Sequence, residues 1–157
     1  MKTLYIDPAI KKLQAWAFFK DQNVFRWGSG DLAELDDLMP YCDCVYCEGQ
    51  YVGKNARDAL ALSRVVGRIE EKADKAGKGP INLIAPKDWM RAILGNLLKN
   101  PLKRTQSRAR AIRTVAVALA RQAGFKEPIL ITDDESEAIC GGIYAARLFR
   151  PTKEEPK

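Results

Sequence analysis

Three β-rich runs follow one another at the start of the chain: "TLYIDPA", "LQAWAFF" and "NVFRWG", the last two separated only by "KDQ". Runs of this length, rich in β-branched and aromatic residues and joined by short polar breaks, predict three adjacent strands over residues 3–27. Three strands in succession are too few to bury both of their faces, so the remaining residues must supply the cover. They alternate accordingly. "SGDLAELDDLM" has a serine or aspartate cap and helical apolar spacing, and predicts a short helix. "CDCVYCEG" predicts a strand ending on Glu48. In "NARDALALSRVVGRIEEKADKAGKG", Ala59, Leu62, Val66 and Ile69 recur at helical spacing, and the polar tail closes at Gly77. "INLIA" predicts a strand stopped by Pro86, and "PKDWMRAILGNLLK" a helix with proline at its first position. "NPLKRTQS" reads as a basic linker. "QSRARAIRTVAVALARQAG" predicts a further helix, and a last helix should run from about Asp134 to Phe149.

This order calls for an α/β fold, with a five-stranded mixed sheet carrying helices on both faces. At 157 residues the chain has the size of one domain, expected over 1–150, with 151–157 a flexible, charged tail.

Composition narrows the chemistry. Histidine is absent, which removes the commonest zinc ligand and the commonest general base. Read as a strand, "CDCVYC" puts Cys42 and Cys44 on one face and Cys47 on the other, so the thiols do not converge on one ion and are expected to be small buried side chains. No apolar run approaches the ~20 residues that cross a bilayer. The opening "MKTLYIDPAI" reaches Asp7 and Pro8 too soon for a signal peptide, so a cytoplasmic location is expected.

The net charge is +6, and it is concentrated. Between Asp88 and Glu127 there is no acidic residue but nine basic ones: Arg91, Lys99, Lys103, Arg104, Arg108, Arg110, Arg113, Arg121 and Lys126. The rest of the chain holds 17 basic and 20 acidic residues, a balance of −3. One segment therefore carries the positive charge, which suits a polyanion or an acidic partner.

Acidic residues stand out at three places. Asp7 closes the first strand and Glu48 the fourth. Asp133, Asp134, Glu135 and Glu137 crowd the start of the last helix. Each has a plain structural reading. Asp7 can be a turn residue before proline, and Glu48 the solvent end of a strand. Thr132 with Glu135, or Asp134 with Glu137, fits a capping box. Capping does not need four acids, however, and like charges at such spacing are best tolerated around a hard cation. If the first and fourth strands are neighbours, Asp7 and Glu48 face each other, and Asp134 and Glu137, at i and i+3, share a helix face. Oxygen ligands alone point to Mg²⁺ or Mn²⁺. Two such ions, about 4 Å apart, serve phosphodiester hydrolysis. Beyond Glu48, Tyr51 can stack on an unpaired base and Lys54 can reach a phosphate, though a core tyrosine and a solvated lysine fit as well.

"YIDPA", "EGQYVGKNARDALALSRVVG", "LIAPKDW" and "DDESEAICGGIYAAR" together resemble the RuvC-type Holliday-junction resolvases, a branch of the ribonuclease H and retroviral-integrase superfamily, over residues 2–148. The resemblance implies a ribonuclease H-like fold and a homodimer that cuts four-way DNA junctions by paired symmetric nicks leaving 5′-phosphates. By position it implies that Asp7, Glu48, Asp134 and Glu137 are the catalytic, metal-binding carboxylates, holding two Mg²⁺ or Mn²⁺ ions. It further implies that Tyr51 enters the opened junction and that Lys54, Lys103, Arg104 and Arg108 contact DNA. The family's last carboxylate is usually aspartate, so Glu137 is a departure that leaves Asp133 as an alternative ligand. The residues around "CDCVYC" and the short length resemble a phage-encoded relative. Two other readings stand beside this one: a broader branched-DNA nuclease acting on forks and flaps, and a non-catalytic DNA-binding protein of the same fold.

Overall fold

A computed structural model of the protein describes residues 1–10, 13–49, 55–95 and 104–148, with the backbone alone described over 104–107. Five strands form one sheet: β1 (Lys2–Asp7), β2 (Gln14–Lys20), β3 (Asn23–Gly30), β4 (Cys44–Glu48) and β5 (Asn82–Ile84). Their order is β3-β2-β1-β4-β5. β1–β2 and β2–β3 pair antiparallel, as short hairpin connections require. β1–β4 and β4–β5 pair parallel, each reached by a crossover containing a helix. The sheet is thus the five-stranded mixed sheet expected from the order of runs.

Side chains alternate along the central strands and divide the core into two. Leu4, Ile6, Trp16, Phe18, Val45 and Cys47 point to one face, covered by α1 (Glu34–Leu38), a 3₁₀ turn (Met39–Tyr41) and α2 (Ala56–Lys75). Tyr5, Ala15, Ala17, Phe19 and Tyr46 point to the other, covered by α3 (Pro86–Leu94), α4 (Arg104–Gln122) and α5 (Asp133–Leu148). α5 lies directly on β1 and β2, and two adjacent glycines make that possible. A Cβ at Gly141 would collide with the Tyr5 ring, and one at Gly142 with the Phe19 ring. Among the described residues no helix is long and apolar enough to cross a membrane.

Local chemistry sets most element ends. Asn55 Oδ1 accepts from the backbone N–H of Arg57 at 3.1 Å and caps α2. Asp31 accepts from the N–H groups of Ala33 and Glu34 in the turn ahead of α1, but the serine or aspartate cap expected there is not formed, because the capping position is Ala33. Pro86 occupies the first turn of α3.

Three further expectations need correction. β4 begins at Cys44, so Cys42 precedes the strand and follows no strand alternation; it packs with Cys47 on the α2 face, whereas Cys44 borders the opposite core. The helix from Pro86 ends at Leu94, where Gly95 takes φ +49°; the remainder of that run lies outside the described residues. The basic linker is shorter than expected, because α4 begins at Arg104. Arginine and glutamine are good helix formers, and nothing in "RTQS" breaks the helix that follows.

Candidate active site

β1 and β4 are parallel neighbours whose register pairs Ile6 with Cys47, so the next residues, Asp7 and Glu48, end the two strands side by side. Both lie at carboxyl ends of parallel strands, the usual site edge of an α/β sheet. Two residues before each, Tyr5 and Tyr46 belong to the core beneath α3, α4 and α5, so alternation puts both carboxylates on that face. Both are half-buried.

The loop after Asp7 is pinned. Ala9 N–H donates to Gln14 Oε1 at 2.7 Å, and Gln14 Nε2 donates back to the Ala9 carbonyl at 3.1 Å. Gln14 is itself buried, so this two-way bond fixes the turn that follows the aspartate.

Electrostatics mark the cluster. Burial, reinforced by the negative charges of Glu48, Glu137 and Asp134, pushes Asp7 up to about 8. Burial likewise raises Glu48 to about 7, with Glu137 adding to the rise, while hydrogen bonds from Trp89 and Tyr5 and the charge of Arg108 oppose it. Glu137 is raised by burial and by Asp134 and Asp133, again against Arg108. Carboxylates from β1, β4 and α5 therefore act on one another as one group, and the exposed Arg108 of α4 projects its charge onto it.

The four acids opening α5 have divided roles. Glu135 and Thr132 form a reciprocal capping box: Thr132 N–H donates to Glu135 Oε2 at 3.0 Å, and Glu135 N–H to Thr132 Oγ1 at 3.2 Å. Glu135 also accepts from Ser29 on β3. Asp133 is paired with Arg113. Among the described residues no hydrogen bond or ion pair ends on Asp134 or Glu137, the two that act on Asp7.

Of the expected DNA-contacting residues, Arg108 is exposed near the carboxylates. Arg104 is the first residue of α4, and its side chain lies outside the described set. Tyr51, Lys54 and Lys103 also lie outside the described residues. Of the other cations in the basic segment, Arg113 and Arg121 are neutralised by Asp133 and Glu127.

Three residues at the site went unassigned in the sequence: Tyr5, Trp89 and Gln14. Trp89 Nε1 donates to Glu48 Oε2 at 2.8 Å, and the Tyr5 hydroxyl donates to the same oxygen at 3.5 Å. Tyr5 had a signal, because the i, i+2 alternation of β1 puts it on the face of Asp7. Trp89 and Gln14 had no such signal, since the pairing of β5 with β4 brings in the one and the bonds to Ala9 the other.

A divalent cation fits the chemistry of this set. The donors are all carboxylate oxygens, which suits Mg²⁺ or Mn²⁺. The mutual repulsion of these half-buried groups is relieved by positive charge. Among the described residues, however, no three cysteine or carboxylate side chains lie close enough together to hold an ion.

Neither a protein-family model nor a curated protein sequence matches the chain. Solved structures do. The chain is similar to T. thermophilus RuvC in complex with Holliday junction substrate, with a TM-score of 0.64 and 13% identity over 95% of this chain and 97% of that one. It is similar also to the Thermus thermophilus RuvC structure, with a TM-score of 0.63 and 14% identity over 94% and 96%. At such low identity the likeness establishes the fold, a ribonuclease H-like mixed sheet flanked by helices.

Proposed function

We propose that the protein is a metal-dependent, structure-specific endodeoxyribonuclease that resolves four-way DNA junctions by paired symmetric nicks leaving 5′-phosphates. The observation that carries this reading is the convergence of Asp7, Glu48 and Glu137 from three separate elements into one mutually repelling, half-buried group beside the cationic Arg108. A protein that only bound DNA would gain nothing from carboxylates placed where the phosphate must lie. The RuvC-like fold and the bound junction in one RuvC structure support the choice of substrate.

Asp7, Glu48, Asp134 and Glu137 would hold Mg²⁺ or Mn²⁺, which supplies Lewis acidity to acidify water and offset charge on the departing 3′-oxygen. The chain's own residues do the rest. Burial of Asp7 and Glu48 keeps bulk water from competing for their oxygens. The i, i+3 spacing of Asp134 and Glu137 presents both from one helix face. Arg108 favours ionised Glu48 and Glu137 and can draw a phosphate to the same place. Tyr51 and Lys54, just beyond Glu48, and Lys103 and Arg104, at the approach to α4, are the further candidates for base stacking and phosphate contacts. Two copies related by a two-fold axis would match the symmetry of a junction. Such an enzyme acts in the cytoplasm, that of the host if the chain is phage-encoded.

The test is cleavage of a fixed four-way junction, a Y-fork, a flap and a matched duplex with Mg²⁺, Mn²⁺ or EDTA, using the wild type and Asp7→Asn. Symmetry-related nicks on the junction alone, lost in EDTA and in the variant, are the expected result. Cleavage of every branched form would make the protein a general debranching nuclease. Binding without cleavage under either metal would leave only a DNA-binding protein.

A further inference from the structure

Glu48 is gripped through a single oxygen. Trp89 Nε1–H and the Tyr5 hydroxyl both end on Oε2, at 2.8 and 3.5 Å, and among the described residues no hydrogen bond ends on Oε1. Both rings are fully buried, so neither donor can swing away. They come from opposite sides. Trp89 stands in the first turn of α3, directly after β5, whose Ile84 is the register partner of Glu48 and accepts from Gly49 N–H at 2.7 Å. Tyr5 lies on β1 below Asp7, with its ring under Gly141 of α5, where any Cβ would strike Cζ and Oη. Thus β1, β4, α3 and α5 meet around one carboxylate oxygen.

The plain alternative is that Glu48 merely satisfies two buried donors, which need a partner. A backbone carbonyl would serve that purpose without placing a charge against Asp7. The short, charge-assisted bond from Trp89 is of the strong kind, and the longer one from Tyr5 sets the carboxylate from the other side.

We propose that Tyr5 and Trp89 are positioning residues for Glu48, which fix Oε2 so that the glutamate offers only Oε1 to a divalent cation. The proposal rests on the nuclease reading above. It gives Gly141 a role beyond helix packing, since its missing side chain leaves the Tyr5 hydroxyl in reach of Glu48.

The test uses the full chain, with Trp89→Phe removing the N–H and Tyr5→Phe removing the hydroxyl while each keeps its ring. Mn²⁺ affinity is measured without DNA from the electron paramagnetic resonance of the free ion, alongside kcat and KM for junction cleavage and the Tm of each variant. Residues that orient a metal ligand typically change metal affinity or activity by about 10- to 100-fold when lost. Trp89→Phe should therefore weaken Mn²⁺ binding about tenfold and lower kcat, with KM for the junction within about twofold of wild type. Tyr5→Phe, which loses the longer bond, should move both in the same direction by a smaller factor, and it carries the test if Trp89→Phe does not fold. A lower Tm with wild-type Mn²⁺ affinity in the folded variants would overturn the positioning role and leave a structural one. Wild-type protein that binds no Mn²⁺ would overturn the nuclease reading and the positioning role together, whereas wild-type binding matched by both variants overturns the positioning role alone.

Discussion

Arg113 Nη2 lies 2.7 Å from Asp133 Oδ1, an ion pair that joins α4 to the first residue of α5. The next residue, Asp134, acts instead on Asp7. The pair thus engages Asp133 at the α4–α5 contact, while the charge of Asp134 reaches Asp7. Asp133→Asn should leave junction cleavage within about threefold of wild type, because only an exposed ion pair is lost. Asp134→Asn and Glu137→Gln should each lower kcat by about 100-fold or more, as expected where charge at the reacting centre is removed. Single-turnover cleavage of one fixed junction by the three variants checks the division.

Asp7 should cost the metal-free protein stability at alkaline pH. Its carboxyl holds a proton up to about 8 in the fold, against about 3.9 in an unfolded chain. Between those values the native state binds more protons than the unfolded one, so stability falls as pH rises. Asp7→Asn, which mimics the protonated form, should be more stable than wild type by roughly 1–3 kcal/mol above pH 8 in EDTA, with the gap closing toward pH 4. Urea melts of both proteins at pH 5, 7 and 9 measure it. A constant gap at all three would contradict the assignment.

The same repulsion should make the fold respond to divalent cations. Mg²⁺ at pH 7.5 should raise the Tm of wild type, because an ion bound only by the native state stabilises it by mass action. Asp7→Asn should respond weakly or not at all. Thermal melts in EDTA, Mg²⁺ and the same concentration of Ca²⁺ give the comparison.

Arg108 opposes the upward shift of both Glu48 and Glu137. Its removal leaves those carboxyls protonated to higher pH. For Arg108→Ala, the rising limb of the pH–kcat profile should move to higher pH, and junction affinity should fall with a shallower salt dependence. A pH–rate profile that keeps its midpoint would deny Arg108 this influence.

Gly141→Ala and Gly142→Ala should both destabilise the fold by roughly 1–3 kcal/mol, the usual cost of overpacking a filled core. The first presses on Tyr5 and the second on Phe19. Only Gly141→Ala should also lower kcat below its own Tm, since only Tyr5 reaches a site carboxylate. Equal kcat losses in the two variants would remove the distinction.

Much of this molecule is written in local pattern. The alternation in "TLYIDPA" and "QAWAFF", the i, i+3, i+4 spacing of Leu62, Val66 and Ile69, and the turn-forming breaks between runs are properties of a few neighbouring residues. Placement of Asp7 and Glu48 at strand ends followed from them. Other features depend on pairings between distant segments. Asp133 and Asp134 look alike in sequence, and only the docking of α4 beside α5 brings Arg113 to one of them. Trp89 reads as one more core aromatic until β5 joins β4 and turns its indole toward Glu48. Cys42 escapes the strand alternation because it stands two residues before β4, as the cap of the 3₁₀ turn Met39–Tyr41, which also turns the apolar Met39 to the core.

The seating of α5 on β1 has a consequence for how the protein is made. Glu137 enters the growing polypeptide 89 positions after Glu48 and 130 after Asp7, and the helix that carries it also roofs the hairpin of β1 and β2. A nascent chain on the ribosome can thus pair its first four strands and still lack both the last carboxylates and the cover over Tyr5 and Phe19. For the nuclease proposed above, the last of the proposed site carboxylates and the cover of the core arrive in one late step of synthesis, so an interrupted chain lacks both.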